Sequence, residues 1–308
     1  DLHSFPTRRS SDLIPAPPIA GEPGIPRRMA LTFVEVVSHP LGAIGVLLVA
    51  LIVLTALLAP VIVPYNPTAI SVKERLADPS LTHLLGTDQL GRDLLSRVIV
   101  GTRTAMTVAL TSLAVALAIA LPLGMIAGYG PRWLDALFIL LFDSISSLPM
   151  IMLGLAVVVL LGPGVSTVIL VIVLYSVPSY ARLVRTQTLS LKTRDFIKAE
   201  QAMNAGTMRI LFRHVLPNVV GPLLILACLD ISTVITLEAG LSFLGLGVKP
   251  QIPSWGNILS DGFSVIRNSP VPVIAGGVPL ILATIGFTFF GEALRDALDP
   301  KLNPERKP

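Results

Sequence analysis

Cysteine is almost missing from these 308 residues: Cys228 stands alone inside an apolar run. That excludes an internal disulfide framework and a cysteine-based zinc site, and it leaves Cys228 as a small apolar side chain. Charge is scarce too, at 14% Asp, Glu, Lys and Arg. The four histidines, His3, His39, His83 and His214, are widely separated. No H-E-x-x-H, no Gly-x-Ser-x-Gly elbow and no G-x-x-x-x-G-K-[ST] loop occurs. An enzyme reading therefore has little support. The expectation is a chain that binds no metal or cofactor and does not itself cradle ATP.

What is abundant is apolar. Hydrophobic residues make up 53% of the chain, and the mean hydropathy is +0.78. Six spans can be placed. Leu41–Val63 runs 23 residues without a charge, enough to cross about 30 Å of hydrocarbon. Thr104–Pro131 is uncharged for 28 residues. A third span starts near Trp133 and runs to about Leu161, with Asp143 and Pro149 inside it. Gly162-Pro163-Gly164 then turns the chain into Val165–Ala181, because 38 uncharged residues from Ser144 are too many for one crossing. Val219–Gly240 and Val271–Gly291 complete the set. Lipid cannot satisfy open backbone groups, so an all-α membrane bundle is expected.

Basic residues orient it. With the amino terminus inside, inner segments hold 16 Lys and Arg and outer segments hold 7. Both termini then face the cytoplasm, and the net charge of +4 is explained by topology rather than by nucleic acid. Residues 1–13, DLHSFPTRRSSDL, look like a translated adapter rather than native protein, and residues 14–30 read as a Pro- and Gly-rich disordered lead-in. No signal-peptide pattern precedes Leu41, so the first span reads as an uncleaved anchor.

The longest polar island in the second half is Asp195–Asn218, DFIKAEQAMNAGTMRILFRHVLPN. Thr193 can cap a first short helix carrying Phe196, Ala199, Ala202 and Met203. Asn204-Ala205-Gly206 stops it, and Thr207 can cap a second helix that Pro217 ends. His214 reads as a helix-end packing and hydrogen-bonding residue. A mere connection needs only a few residues, so this one is built to be gripped.

This island resembles the cytoplasmic coupling loop, the EAA loop, of ABC-importer permeases, and more narrowly of the peptide/nickel class. The likeness rests on Phe196, Ala199, Ala202, Ala205, Phe212, Arg213, His214, Leu216, Pro217 and Asn218. The family's Glu-Ala-Ala reads Lys198-Ala199-Glu200 here, and its Gly is Asn204, which also tolerates a left-handed turn. Four more blocks resemble the same permeases: His83–Thr104, Leu241–Gly247, Pro253–Gly256 and Leu294–Pro300.

The resemblance implies six transmembrane helices in a type I importer bundle. It implies a second homologous permease subunit, two ATPase subunits carrying ATP and Mg, and a substrate-binding protein outside a bacterial inner membrane. It implies alternating access, with the helix near Ala199–Gly206 as the lever. The organisation expected is a leader (1–30), a first span and outer loop (31–103), a permease core (104–292) enclosing a coupling loop (182–218), and a cytoplasmic tail (293–308). Dipeptide, oligopeptide, glutathione and nickel all remain open as cargo, with peptide favoured. The competing class is a secondary transporter or channel working without an ATPase; it would need intramembrane ions around broken helices.

In the outer loop, Asp88, Arg92, Asp93 and Arg97 supply both signs of charge, and Asp93 and Arg97 have the spacing of an exposed helix pair. The loop meets the binding protein, lines the pore mouth, or only seals the bundle. Trp255 fits an outer aromatic belt. Gly124 and Gly128 form a small-xxx-small face, for a partner subunit or an internal contact. Asp143, Asp230 and Glu238 lie at span depth. Each either lines the translocation path, meeting a peptide amine or a cation, or is satisfied by a neighbouring helix; Glu238 leans to an end-of-span role.

Overall fold

The computed structural model describes residues 34–298, so the expectations for the leader and for residues 299–308 lie outside it. The described residues are helical almost throughout. In order come α1 (Pro40–Ile62), α2 (Leu94–Tyr129), α3 (Arg132–Ser146), α4 (Met150–Leu161), α5 (Val165–Lys192), α6 (Asp195–Ala202), α7 (Thr207–Ile210), α8 (Leu216–Phe243), α9 (Trp255–Ser264) and α10 (Val271–Leu298). Five helices are long and apolar enough to cross a membrane, or six counting the bent pair α3 and α4 as one. Large apolar side chains such as Leu47, Leu57, Val61 and Leu160 stand exposed on the outside, as in a helix bundle bathed by lipid.

α2 and α5 form the spine. Their close approach explains the small-residue face. A Cβ on Gly124 would sit 2.5 Å from Val184 Cβ and 2.6 Å from the Ala181 carbonyl, and one on Gly128 would sit 2.7 Å from the Arg185 carbonyl. The glycines therefore serve an internal contact. α10 packs on α1, α8 and α9 and closes the bundle.

Three helices outrun their apolar cores. α2 begins ten residues before Thr104, because Asp93 caps it by accepting from the Ser96 amide at 2.8 Å. The 103/104 boundary thus falls inside a helix. α5 continues through its arginines to Lys192, and α10 runs on to Leu298. Hydropathy ends at the first charge; the backbone ladder does not.

The third span is broken rather than continuous. α3 and α4 meet at 87°. Pro149 lacks a donor and biases Leu148 away from helix, while the Ser147 hydroxyl donates to the Ser144 carbonyl at 2.7 Å.

Candidate functional site: a short helix at one end of the bundle

The island folds as a short helix braced on the longer ones. α6 has one buried apolar residue, Ile197, beside exposed Phe196. Its end is a full Schellman turn: the Ala205 amide donates to the Glu200 carbonyl at 3.0 Å and the Asn204 amide to Gln201 at 3.0 Å. Asn204 takes the left-handed conformation, φ +59°. Three capping expectations are corrected. Arg194 holds the amino-terminal cap position of α6 without a side-chain cap, while Thr193 ends α5 and donates to the Ser190 carbonyl. Gly206, not Thr207, precedes α7. Pro217 does not end the second helix; α7 passes through a π-turn, Leu211–Val215, straight into α8. A proline in the first turn of α8 needs no amide partner, and the wider turn absorbs the missing bond.

The footing is apolar and the top is open. Ile197, Ile210, Leu211 and Val215 are buried. Phe196, Met203, Met208 and Phe212 are exposed, Met203 at 70% and Met208 at 69%. Lys198, Ala199, Ala202, Gly206 and Pro217 are also exposed, with Ala205 half-buried. His214 Nε2 lies 3.1 Å from Glu200 Oε1, and the His214 ring stands 6.3 Å from that of Phe196. His214 thus pairs the π-turn that leads into α8 with α6. Gln201 donates to the Tyr129 hydroxyl at 3.0 Å, and Lys192 donates to the Tyr129 carbonyl at 2.8 Å. Arg185 holds Asp135 through both its Nε and its Nη2. These ties join α6 to the end of α2, and α5 to α2 and α3.

Of the acidic residues at span depth, Asp143 is paired: Arg182 Nη1 donates to it at 2.8 Å and Arg182 Nη2 to Ser146 Oγ at 2.8 Å. Asp230 is half-buried and lines a cavity of about 340 Å³ with Ser146, Tyr175, Ser176, Ser179, Arg182 and Thr233. Glu238 is fully buried and accepts from Ser242 Oγ at 2.8 Å. It is not among the residues that line that cavity, though the preceding Leu237 is.

At the opposite end, the expected Asp93–Arg97 pair does not form. Asp93 caps α2 and meets His83 Nδ1 at 2.9 Å. Arg97, 1% exposed, donates instead to Asp88 and, at 3.1 Å, to Asp261 of α9. Arg92 bridges the same carboxylates at 2.6 and 2.8 Å. Asp88 also accepts the amides of Leu90 and Arg92. This is a buried ionic cluster, not an exposed pair. Trp255 is likewise no belt residue: it is fully buried, and its Nε1 donates to the Val98 carbonyl at 3.3 Å. A Cβ on Gly101 would stand 3.0 Å from its ring.

A many-span helical bundle with a short helix seated across one end is the build of a membrane permease subunit. Comparison narrows this. Residues 120–304 match the family model described as the binding-protein-dependent transport system inner membrane component. Residues 31–79 match the N-terminal TM domain of oligopeptide transport permease C. A dipeptide transport system permease protein of Alkalihalophilus pseudofirmus is 36% identical over 88% of this chain and 89% of its own. A di/tripeptide permease of Pseudomonas aeruginosa is 39% identical over 86% and 90%, and a glutathione transport permease of Pectobacterium atrosepticum is 37% identical over 86% and 88%. Among solved structures, an inward-facing MetNI methionine ABC transporter chain aligns with TM-score 0.53 and 20% identity over 67% of this chain and 98% of that one, which supports the fold.

The chain belongs to the binding-protein-dependent transport system inner membrane component family and is a multi-pass permease subunit of an ABC importer. Membership implies an ATPase and a substrate-binding protein as partners. Nothing favours a secondary transporter or channel.

Proposed function

We propose that this chain forms half of the pore of a peptide importer and receives the ATPase stroke through α6. The observation that carries this is the exposed apolar cap on a firmly rooted short helix. Phe196, Met203, Met208 and Phe212 face outward while Ile197, Ile210 and Leu211 hold the base. Flexible methionines beside aromatics suit a moving protein partner. α7 runs unbroken into α8, so a push on α6 that crosses the Asn204 turn and the Glu200–His214 contact reaches α8 without further loop. In this reading Lys198, Glu200 and Asn204 set polar register and turn geometry at the joint.

The assembly has two permease chains and two ATPases that hold ATP and Mg, with a periplasmic or lipid-anchored binding protein at the far side. It sits in the bacterial inner membrane, with both termini and α6 in the cytoplasm. Peptide is the cargo class because similar permeases carry dipeptide and di/tripeptide names. Cysteine crosslinking tests the docking. A thiol introduced by Met203→Cys in a Cys228→Ala chain is expected to crosslink a P-loop ATPase in membranes. Failure to capture any ATPase from membranes that import peptide would contradict it.

A further inference from the structure

We infer that the cavity between α3, α5 and α8 is a subsite for a protonated amine, and that Asp230 holds it. This rests on the peptide reading above and names which end of the peptide the permease meets. Tyr175, Ser176, Ser179 and Arg182 come from one face of α5, and Asp230, Thr233, Val234 and Leu237 from one face of α8. Ser146 closes it at the α3 end, just before the 87° break, so the break leaves space here and brings the negative end of the α3 dipole to it. About 300 Å³ is where small-ligand pockets begin, and this one has 340 Å³.

Charge decides the ligand. Arg182 is the cation in the lining, and Asp143 neutralises it at 2.8 Å while Ser146 Oγ takes its other nitrogen. Among the described residues no cation stands within ion-pair distance of Asp230; its neighbour is the hydroxyl of buried Tyr180. The cavity therefore keeps one uncompensated carboxylate. Around it are the hydroxyls of Ser146, Tyr175, Ser176, Ser179 and Thr233. An ammonium offers three donors, which one carboxylate and several hydroxyls can accept. A hard divalent ion favours more carboxylate than this lining offers. The free amino end of a peptide fits; a carboxylate end would be repelled.

The test uses the assembled importer in proteoliposomes, with Cys228→Ala and Thr233→Cys placing a thiol in the cavity. Cationic aminoethyl methanethiosulfonate is expected to label it at least about tenfold faster than the anionic sulfonatoethyl reagent. Asp230→Asn should abolish that preference, and alanyl-alanine should slow labelling. In the chain with native Thr233 and Cys228, D230N should lower alanyl-alanine uptake about tenfold, and Asp230→Glu should recover most of it. Equal labelling by both reagents with Asp230 present, or unchanged uptake by D230N while the wild type imports alanyl-alanine, overturns the amine subsite alone. A charge preference in an importer that moves no peptide overturns the peptide reading and the ligand assigned here together.

Discussion

Replacing Arg97 with alanine removes the guanidinium between Asp88 and Asp261. Asp88 is fully buried, so its charge cannot be taken up by water. Arg92 remains at 2.6 Å, and the Leu90 and Arg92 amides still donate to the other oxygen. Losing one partner of a buried pair typically costs about 3–5 kcal/mol. Two nitrogens of Arg97 are themselves buried without partners among the described residues, and Asp88 keeps Arg92, which selects the lower end. We expect about 3 kcal/mol, or roughly a hundredfold in the equilibrium between packed and separated α2 and α9. Trp255 reports it directly: its indole lies between the helices, and Trp133→Phe removes the other tryptophan. Titrating detergent-solubilised protein with denaturing detergent and following Trp255 emission should show R97A opening early. In a cycle with Asp88→Asn, which preserves the acceptor for the two amides, the double variant should recover at least about 1 kcal/mol of the summed losses. If R97A opens within about 0.5 kcal/mol of the parent, the cluster is not holding the two helices together.

Other expectations follow from single contacts. Asn204→Gly keeps the left-handed turn and should leave stability nearly unchanged, whereas Asn204→Val should destabilise the α6 end by about 1–2 kcal/mol, read by hydrogen exchange at Ala205. Ala202→Pro distorts the last turn of α6, and Glu200→Lys reverses the charge facing His214. Both should leave ATP hydrolysis running while uptake falls, measured side by side in proteoliposomes. Gly124→Ala forces a methyl to within 2.6 Å of the Ala181 carbonyl and should cost about 1–3 kcal/mol, seen as a lowered detergent-melting temperature.

Much of this architecture was legible in the residues. Uncharged runs located the spans, and the Asp195–Asn218 island marked the short helix and its Asn204 stop. Helix ends were not legible, since charged first turns at Leu94 and a charged last stretch up to Lys192 look like loop to hydropathy. The break at Pro149 was hidden because one apolar run continues through it. Ile197 beside Phe196 could not be ranked: adjacent apolar residues face different ways, and only the folded packing shows that Ile197 is the buried one. The Arg97–Asp261 contact spans 164 positions, so local spacing favoured Asp93 instead. Trp255 suits a belt by composition; only the recess at Gly101 shows that it is a core residue.

Radiolabelled alanyl-alanine flux into proteoliposomes, compared with and without the ATPase subunits, decides whether α6 is a driven lever. Accumulation should require the ATPases, ATP and the binding protein, and should vanish when any one is left out. Accumulation by this permease in liposomes that contain no ATPase would contradict it.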